Sequence, residues 1–255
     1  MPAFPIFFYI CASMPQLPIF FYDGPLAENT TVSLDADTAK HIWQVLRMEA
    51  DDKIIMTDGK GTSAEGSIHT AERHKCNVSI DKVSFHARQG CELHLAVAFT
   101  KNNSRNEWLL EKATELGVGA IIPLTTARSE KIHVRHDRWQ KILQSSILQS
   151  RQYYLPVLHD IVPLHGLFER YQSTPQKIVA HCITSEARKS LQEMLKPTSE
   201  AILLIGPEGD FTQDEVNLCI SNGYEPVSLG TQRLRTETAA ITAAAYFNLI
   251  CDGKS

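Results

Sequence analysis

The pattern of apolar and polar positions in the first third of the chain is that of short β-strands. Short apolar stretches alternate with turn signals such as Asp58-Gly59, Gly61 and Gly66, as in strands joined by tight turns. Strands are predicted over residues 53–57, 77–80 and 82–85. Residues 14–88 are therefore predicted to form a small domain that resembles a β-barrel.

One helix interrupts these strands, over residues 38–46. Its apolar side chains Ile42, Val45 and Leu46 follow the i, i+3, i+4 spacing that places side chains on one face of an α-helix. An amphipathic helix is therefore predicted within the first domain.

From residue 89 onward, strands alternate with helices. Predicted strands cover residues 93–99, 120–123, 177–182, 201–205 and 226–229, and the strand 120–123 ends at a proline. Predicted helices cover residues 105–116, 137–152, a segment ending at 195, 212–221 and 236–251. This alternation indicates an α/β architecture with a mostly parallel sheet, over residues 89–255. The last helix is rich in alanine, whose small side chain permits close packing against another element.

Composition agrees with a globular protein but does not by itself identify a partner. The chain has 255 residues, 43% of them hydrophobic and 21% charged, which is ordinary for a folded domain. The formal net charge is −4, so any basic surface for nucleic acid must be local. Six widely scattered cysteines include no C-x-x-C pair, which favours reduced, mostly buried thiols over a zinc site.

The amino-terminal sequence predicts neither a membrane span nor a signal peptide. No apolar run approaches the roughly 20 residues that cross a bilayer. The first basic residue of the chain is Lys40, whereas a signal peptide needs a positive charge before its apolar stretch. We therefore expect a cytoplasmic protein. Met1-Pro2 and residues 5–9 recur as Met14-Pro15 and residues 18–22, so residues 1–13 are predicted to be an extension ahead of a functional start.

Two loops in the last fifth of the chain are candidate ligand sites. They cover residues 205–211 and 229–238, and each follows a predicted strand of the parallel sheet, where ligands usually bind. Gly206 and Gly209 allow a ligand to approach the backbone, and Pro207 stiffens the loop between them. Either loop alone could be a turn that needs glycine only for its geometry. Because the two strands look adjacent, the pair of loops favours a pocket.

Basic side chains near these loops are candidates for charge stabilisation or RNA binding. Arg233 and Arg235 stay protonated, so neither is a general base, but either could bind phosphate or stabilise developing negative charge. The alternative is a surface arginine paired with Glu237. A basic run follows Arg128, and a solvated surface is its default interpretation. The sequence contains no H-E-x-x-H and no G-x-S-x-G, so it proposes neither metal chemistry nor serine hydrolysis.

The combined motifs closely resemble those of the ribosomal RNA small-subunit methyltransferase E family. The resemblance extends over nearly the whole chain from Met14 and rests on several motifs together. They are Ile205-Gly206-Pro207-Glu208-Gly209 with Phe211, Leu229-Gly230, Leu234-Arg235-Thr236-Glu237-Thr238-Ala239, His41 with Val45-Leu46-Arg47, Glu111-Lys112-Ala113-Thr114-Glu115-Leu116-Gly117, and Gln149-Ser150-Arg151 with Pro156. Two positions depart from the family pattern, since Asp210 stands where glycine is common and Leu148 where glutamate is expected.

The resemblance implies a fold and a reaction that periodicity could not show. It implies a PUA-like barrel, a SPOUT domain whose carboxy-terminal part is tied in a trefoil knot, and a homodimer. The implied reaction is methylation of N3 of a uridine in 16S rRNA of the small ribosomal subunit, with S-adenosylmethionine as cofactor and no metal. Open alternatives are another rRNA or tRNA base, a non-catalytic RNA-binding assembly factor and, least favoured, a nucleotide-binding oxidoreductase.

The resemblance also assigns roles to individual residues. We expect Arg235 to be catalytic, by stabilising the uridine anion or orienting a phosphate. The expected cofactor-binding residues are Ala180, His181, Ile205, Gly206, Pro207, Glu208, Gly209, Leu229, Gly230, Leu234, Arg235 and Thr236. The expected RNA-binding residues are Arg47, Lys101, Arg105, Arg128 and Arg151.

Overall fold

The computed structural model describes residues 17–88, 90–183, 188–198 and 200–252, and the chain divides into two compact units. The first unit holds residues 17–58 together with Ser63–Ser84. The second holds Gly59–Thr62 with the described residues from Phe85 onward. The predicted extension, residues 1–13, lies outside the described residues.

The first unit is built on a five-stranded sheet with the order β1-β3-β4-β5-β2. Its strands are β1 Ile19–Phe21, β2 Thr31–Leu34, β3 Lys53–Thr57, β4 Thr62–Glu72 and β5 Lys75–Phe85. β1 runs parallel to β3, while β3–β4 and β2–β5 are antiparallel. The prediction for residues 53–57 is confirmed, whereas residues 77–80 and 82–85 belong to one strand.

The turn signal at Gly66 conceals the strand β4 in the sequence. Gly66 lies inside β4, where an added Cβ would be 2.6 Å from the backbone oxygen of Ser79 on β5. Glycine is therefore needed here for the close approach of two strands, which is one of its known roles within a sheet. The buried side chains of Ala64 and Ile68 on either side of it belong to the core of this unit.

The predicted helix of the first unit exists, but its apolar face differs from the prediction. It consists of α1, Ala36–Lys40, followed by a π-helical segment, His41–Leu46. The wider winding buries Ile42 completely and leaves Val45 63% exposed, so the predicted face is wrong.

The second unit contains an eight-stranded sheet whose pairs are all parallel in the described registers, in the order β11-β13-β10-β12-β6-β7-β8, with β9 beside β7. The strands are β6 Glu92–Val97, β7 Ala120–Thr125, β8 Val157–Leu158, β9 Val162–Pro163, β10 Gln176–Ala180, β11 Lys189–Ser190, β12 Glu200–Ile205 and β13 Glu225–Ser228. The helices are α2 Asn103–Glu115, α3 His136–Gln149, α4 Gly166–Arg170, α5 Leu191–Met194, α6 Gln213–Ser221 and α7 Thr236–Asp252. The predicted α/β class is confirmed.

Helices cover both faces of this sheet, because alternate side chains of its central strands point to opposite sides. On β12, Leu203 lies in one core cluster with residues of α2, α3 and α7. Its neighbours Ile202 and Leu204 lie in the other, with residues of α4 and α6. The alanine-rich face of α7 packs within its own chain, where Ala240 and Ala243 are fully buried.

Pro123 does not end its strand as predicted, since β7 continues to Thr125. On the side of β7 away from β6, β8 pairs with β7 as far as Ile121, and β9 pairs with β7 from Leu124 onward. Pro123 lies in the gap between these two short strands, where the N–H that proline lacks is not needed for pairing.

The expectation of reduced thiols is wrong for two cysteines, because Cys91 and Cys251 form a disulfide. It links the residue before β6 to the last turn of α7, two positions 160 residues apart in sequence that no local pattern could connect. Cys76 and Cys219 are free and buried, and Cys182 is free and exposed. In the described part of the chain, none of the helices is both long enough and apolar enough to cross a membrane.

Candidate functional site

A cavity of about 530 Å³ opens in the second unit beyond the carboxyl ends of β10, β12 and β13. Its volume falls in the range of roughly 300–1,000 Å³ that is usual for small-molecule sites. The walls come from the loops that follow these three strands, with Ala239 of α7 and Arg128 from the loop after β7. The predicted adjacency of β12 and β13 is wrong, because β10 lies between them. The loop after β10 therefore forms a third wall.

Glycine shapes two of these loops for different reasons. A Cβ on Gly206 would lie 3.0 Å from the ring of Phe211, which is fully buried beneath the loop. Gly230 has a φ of +127°, and a Cβ there would meet no atom within 4 Å. Since Gly230 lines the cavity, its backbone is left open to a ligand on the cavity side.

The two predicted loops are joined by a buried hydrogen bond. The hydroxyl of Thr236, the first residue of α7, donates to the carbonyl oxygen of Gly206 at 3.2 Å. Thr236 is 5% exposed, so this bond is shielded from water. It holds the start of α7 against the loop after β12.

Three arginines from different parts of the unit hold the loop after β12. Arg105 of α2 donates to the carboxylate of Glu208 at 2.6 Å and lies 3.7 Å from Glu237. Arg128 donates to the carbonyl oxygen of Gly209 at 2.7 Å. Arg233 donates to the carbonyl oxygen of Glu208 at 3.3 Å. Positive charge therefore surrounds this loop, and two of the three arginines, Arg128 and Arg233, also line the cavity.

The structure brings together most of the predicted cofactor residues. All of them line the cavity except Gly209 and Arg235. Gly209 faces Arg128, and a Cβ on it would meet that side chain at 3.4 Å. Arg235 lies between the cavity-lining residues Leu234 and Thr236, with its side chain exposed.

The predicted RNA-binding residues are placed in three different ways. Arg105 and Arg128 hold the loop after β12, and Lys101 forms a 2.8 Å ion pair with Glu130. Arg151 is exposed in a left-handed conformation just after α3. Arg47 belongs to the first unit, where it is also exposed and left-handed.

Several cavity residues are not among the expected cofactor-binding residues, although Asp210, Thr231, Gln232 and Arg233 lie in the two loops predicted to form a pocket. They are Cys182, Ile183, Arg188, Asp210, Ser228, Thr231, Gln232, Arg233 and Ala239, together with Arg128, which was assigned to RNA. Most of them directly extend predicted segments, so sequence adjacency would have found them. Arg128 could not have been found in this way, because Gly209, whose carbonyl oxygen it contacts, lies 81 residues away in sequence. The walls are apolar at Ile205 and Leu229 and carry both arginines and carboxylates at the rim, which suits a ligand with a flat apolar part and charged ends.

A separate polar cluster lies at the amino ends of β6 and β12. The Nδ1 atom of His94 is 3.0 Å from the hydroxyl of Tyr171, and its Nε2 atom lies 3.5 Å from Glu92 and 3.7 Å from Glu200. Burial lowers the pKa of His94 although both carboxylates act in the opposite direction. Burial likewise raises the pKa of Tyr171. No group of three or more His, Cys, Asp or Glu suited to a metal occurs among the residues that the structure describes.

Two family models match the chain. A model described as an RNA methyltransferase domain matches residues 87–248, and one described as an RNA methyltransferase PUA domain matches residues 34–81. The first covers more than half of the chain and includes every residue that lines the cavity.

Known proteins with the same organisation are similar to this chain over most of its length. The ribosomal RNA small subunit methyltransferase E of Synechocystis sp. is 29% identical over 228 residues, which are 87% of this chain and 74% of that protein. The crystal structure of a probable rRNA-methyltransferase from Porphyromonas gingivalis is 31% identical, with a TM-score of 0.86, and the match covers 94% of this chain and 100% of that one. A ribosomal RNA small subunit methyltransferase E from Neisseria gonorrhoeae, solved with bound S-adenosyl methionine, is 27% identical with a TM-score of 0.79, over 92% and 98% of the two chains.

Proposed function

We propose a function from the premise that this chain belongs to the ribosomal RNA small-subunit methyltransferase E family of RNA methyltransferases. The chain is an S-adenosylmethionine-dependent enzyme that methylates N3 of a uridine in 16S rRNA of the small ribosomal subunit. The observation that carries this proposal is the cavity at the carboxyl ends of β10, β12 and β13, which gathers the motif residues of three separate loops.

The residues of the cavity fit S-adenosylmethionine. Gly230 leaves backbone open to the cavity, and the apolar side chains of Ile205 and Leu229 offer a surface for a flat heterocycle. Glu208 supplies negative charge to a ligand that carries a sulfonium and an ammonium group. When bound, the cofactor supplies a methyl group on a positively charged sulfur, which a base nitrogen can attack.

The chain contributes alignment and charge to this reaction. The loops hold the reacting groups in one geometry, which lowers the barrier without any covalent step on the protein. We assign Arg235 to the RNA side of the site, because its guanidinium is exposed next to the cavity and stays protonated. There it stabilises the anion left when the uridine N3 loses its proton, or it holds a phosphate of the substrate.

The finer features of the fold belong to the same proposal. The boundary between the two domains lies at residues 88 and 89, the first domain is a PUA-like barrel, and the second is a SPOUT domain with a trefoil knot. Support for the knot is that the loops after β10, β12 and β13 meet in one cavity. Support for the barrel is the five-stranded sheet and the match to a PUA model over residues 34–81.

Arg47 and Arg151 are proposed RNA contacts, and both are exposed. Lys101, Arg105 and Arg128 are also proposed to face the RNA side, where Arg105 and Arg128 additionally hold the loop after β12. Phosphate contacts from such residues position a substrate without reading its sequence.

We also propose a homodimer in the cytoplasm, where ribosomal subunits lie. Leu249 and Tyr246 on α7 are 73% and 37% exposed and lie three residues apart, so they form one apolar strip. A second copy of the chain would cover it. The disulfide between Cys91 and Cys251 is unusual for this compartment, where thiols are generally kept reduced.

The experiment is methyl transfer from labelled S-adenosylmethionine to small ribosomal subunits that lack the modification, followed by nucleoside analysis. Recovery of 3-methyluridine is the expected result, and label in another nucleoside would overturn the substrate. The Arg235→Ala variant should lose about 100-fold in turnover, the scale of one group that stabilises transition-state charge. Arg138→Ala, which removes an exposed arginine on α3, is the matched control and should keep normal turnover.

A further inference from the structure

Asp210 holds a backbone conformation that L-residues rarely adopt. Its φ is +61°, in the left-handed region, where glycine costs nothing and aspartate is tolerated. Glycine would fit this backbone without a steric cost, whereas Asp210 carries a side chain here. A side chain at such a position needs a compensating role, and its contacts supply one.

Both carboxylate oxygens of Asp210 accept hydrogen bonds from the backbone. The N–H of Cys182 donates to Oδ2 at 2.7 Å, and the N–H of Phe211 donates to Oδ1 at 2.8 Å. The second bond is local and keeps the carboxylate oriented. The first spans 28 residues and reaches the loop that follows another strand.

This long-range bond connects two walls of the cavity. β10 and β12 are neighbours whose last residues, Ala180 and Ile205, are paired in register. The chain leaves the sheet after both residues, so no strand pairing holds the two loops beyond that point. Cys182 and Asp210 both line the cavity, and their bond spans the two loops at its rim.

We propose that Asp210 is a positioning residue that fixes the distance between the loops after β10 and β12 and thereby raises the affinity for S-adenosylmethionine. The inference rests on the proposed cofactor site. Asp210 acts through the backbone of Cys182, not through the reacting atoms, so its effect falls on cofactor binding and not on the chemical step.

Substitutions by glycine and by alanine separate this role from a purely conformational one. Asp210→Gly relieves the backbone but removes both hydrogen bonds. If Asp210 served only to form the turn, glycine would bind the cofactor as well as the native residue. If the carboxylate bridge matters, glycine weakens binding despite its better fit to the backbone. Asp210→Ala loses the bridge and keeps the strain, so it is expected to bind no better than Asp210→Gly.

The experiment measures the Kd for S-adenosylmethionine by calorimetry, and the KM for S-adenosylmethionine and kcat with small ribosomal subunits as the methyl acceptor. Asp210→Gly should raise both the Kd and the KM for S-adenosylmethionine about fivefold, the factor equivalent to a net hydrogen bond of about 1 kcal/mol. Its kcat should stay within about twofold of the native value. Asp210→Asn, whose side chain keeps one oxygen acceptor and tolerates the left-handed region, should fall between the native protein and Asp210→Gly. Hydrogen exchange of the segment that contains Cys182 should become faster in Asp210→Gly.

Asp51→Gly is the matched control. Asp51 is also a left-handed aspartate, with a φ of +72°, but it lies in the first unit and does not line the cavity. This variant should leave Kd unchanged.

Each remaining outcome has one meaning. Native-like Kd in Asp210→Gly, or a Kd in Asp210→Asn as weak as in Asp210→Gly, would overturn the inference. Failure of the native protein itself to bind S-adenosylmethionine would instead remove the proposed function on which the inference rests.

Discussion

Removal of the Arg105 side chain should destabilise the fold, because a buried carboxylate depends on it. The side chain of Glu237 is 11% exposed, its Oε1 atom lies 3.7 Å from Arg105, and its Oε2 atom has no hydrogen-bond partner among the described residues. Breaking a fully buried ion pair costs about 3–5 kcal/mol, and an exposed pair is worth about 0–1 kcal/mol. The Arg105 side chain is 31% exposed and Glu208 is 52% exposed, so the site is intermediate. Arg105→Ala should therefore lower the unfolding free energy by about 2 kcal/mol.

Urea denaturation of a double-mutant cycle measures this dependence. Glu237→Gln removes the buried charge while keeping its shape, so Arg105→Ala should cost less in that background, with a coupling of about 1 kcal/mol. Lys101→Ala is the matched control, because the side chains of Lys101 and its partner Glu130 are 75% and 42% exposed. That control should leave stability nearly unchanged, since an exposed ion pair contributes little.

The reasoning would be refuted if Arg105→Ala lowered the unfolding free energy no more than Lys101→Ala, or if its effect were fully additive with that of Glu237→Gln. The same variant tests the prediction that Arg105 binds RNA. If the guanidinium contacts a phosphate, Arg105→Ala weakens RNA binding and lowers its salt dependence, whether or not stability changes.

Three further predictions concern other sites. Burial lowers the pKa of His94 below its unfolded value of about 6.5, so the neutral side chain contributes fully to stability above that pH, and this contribution is lost as pH falls through the folded pKa. His94→Gln should therefore flatten the decline in unfolding free energy from about pH 7 to 5, and an unchanged slope contradicts this. In the native protein a thiol reagent should modify the exposed Cys182 and spare Cys219, whose pKa is raised by burial to about 12. Because Cys182 lines the cavity, S-adenosylmethionine should protect it, and peptide mapping with and without the cofactor measures this protection. Gly230→Ala places a side chain on a left-handed backbone and should add about 1–3 kcal/mol of strain, which lowers both Tm and cofactor affinity. Gly166→Ala should lower neither, because a Cβ there would lie 3.7 Å from Pro163, an ordinary contact distance, and equal effects of the two variants would contradict this prediction.

Local pattern predicted the five longer strands and the longer helices of the second unit well, because buried parallel strands are short apolar runs with clear ends. It did not predict the short elements β8, β9, β11 and α4, and the helix predicted to end at residue 195 is the short α5. The strand Glu200–Ile205 and the helix Thr236–Asp252 each lie within one residue of their predicted bounds. Errors occurred where a local signal had a non-local cause. Gly66 is needed because β5 lies too close to leave room for a side chain. Pro123 is tolerated within β7 because the short strands β8 and β9 leave a gap beside it.

The candidate site shows the same division. Motif residues such as Gly206 and Thr236 could be selected from sequence because each loop follows a recognisable strand. Arg128 was found in sequence but given another role, because its bond to the carbonyl oxygen of Gly209 spans 81 residues. The Cys182–Asp210 bond could not be anticipated either, since no pattern revealed that β10 lies between β12 and β13.

By itself, the sequence determined the α/β class, the family and the loops that line the cavity, because these depend on periodicity and on motifs within about ten residues. The tertiary structure decided the order of the strands, the place of Arg128 in the cavity wall and the partners of the charged side chains. Strand order follows from how apolar faces are buried across the whole sheet, and ion pairs such as Arg105–Glu208 form between segments that only this burial brings together. Such contacts leave no local trace along the chain.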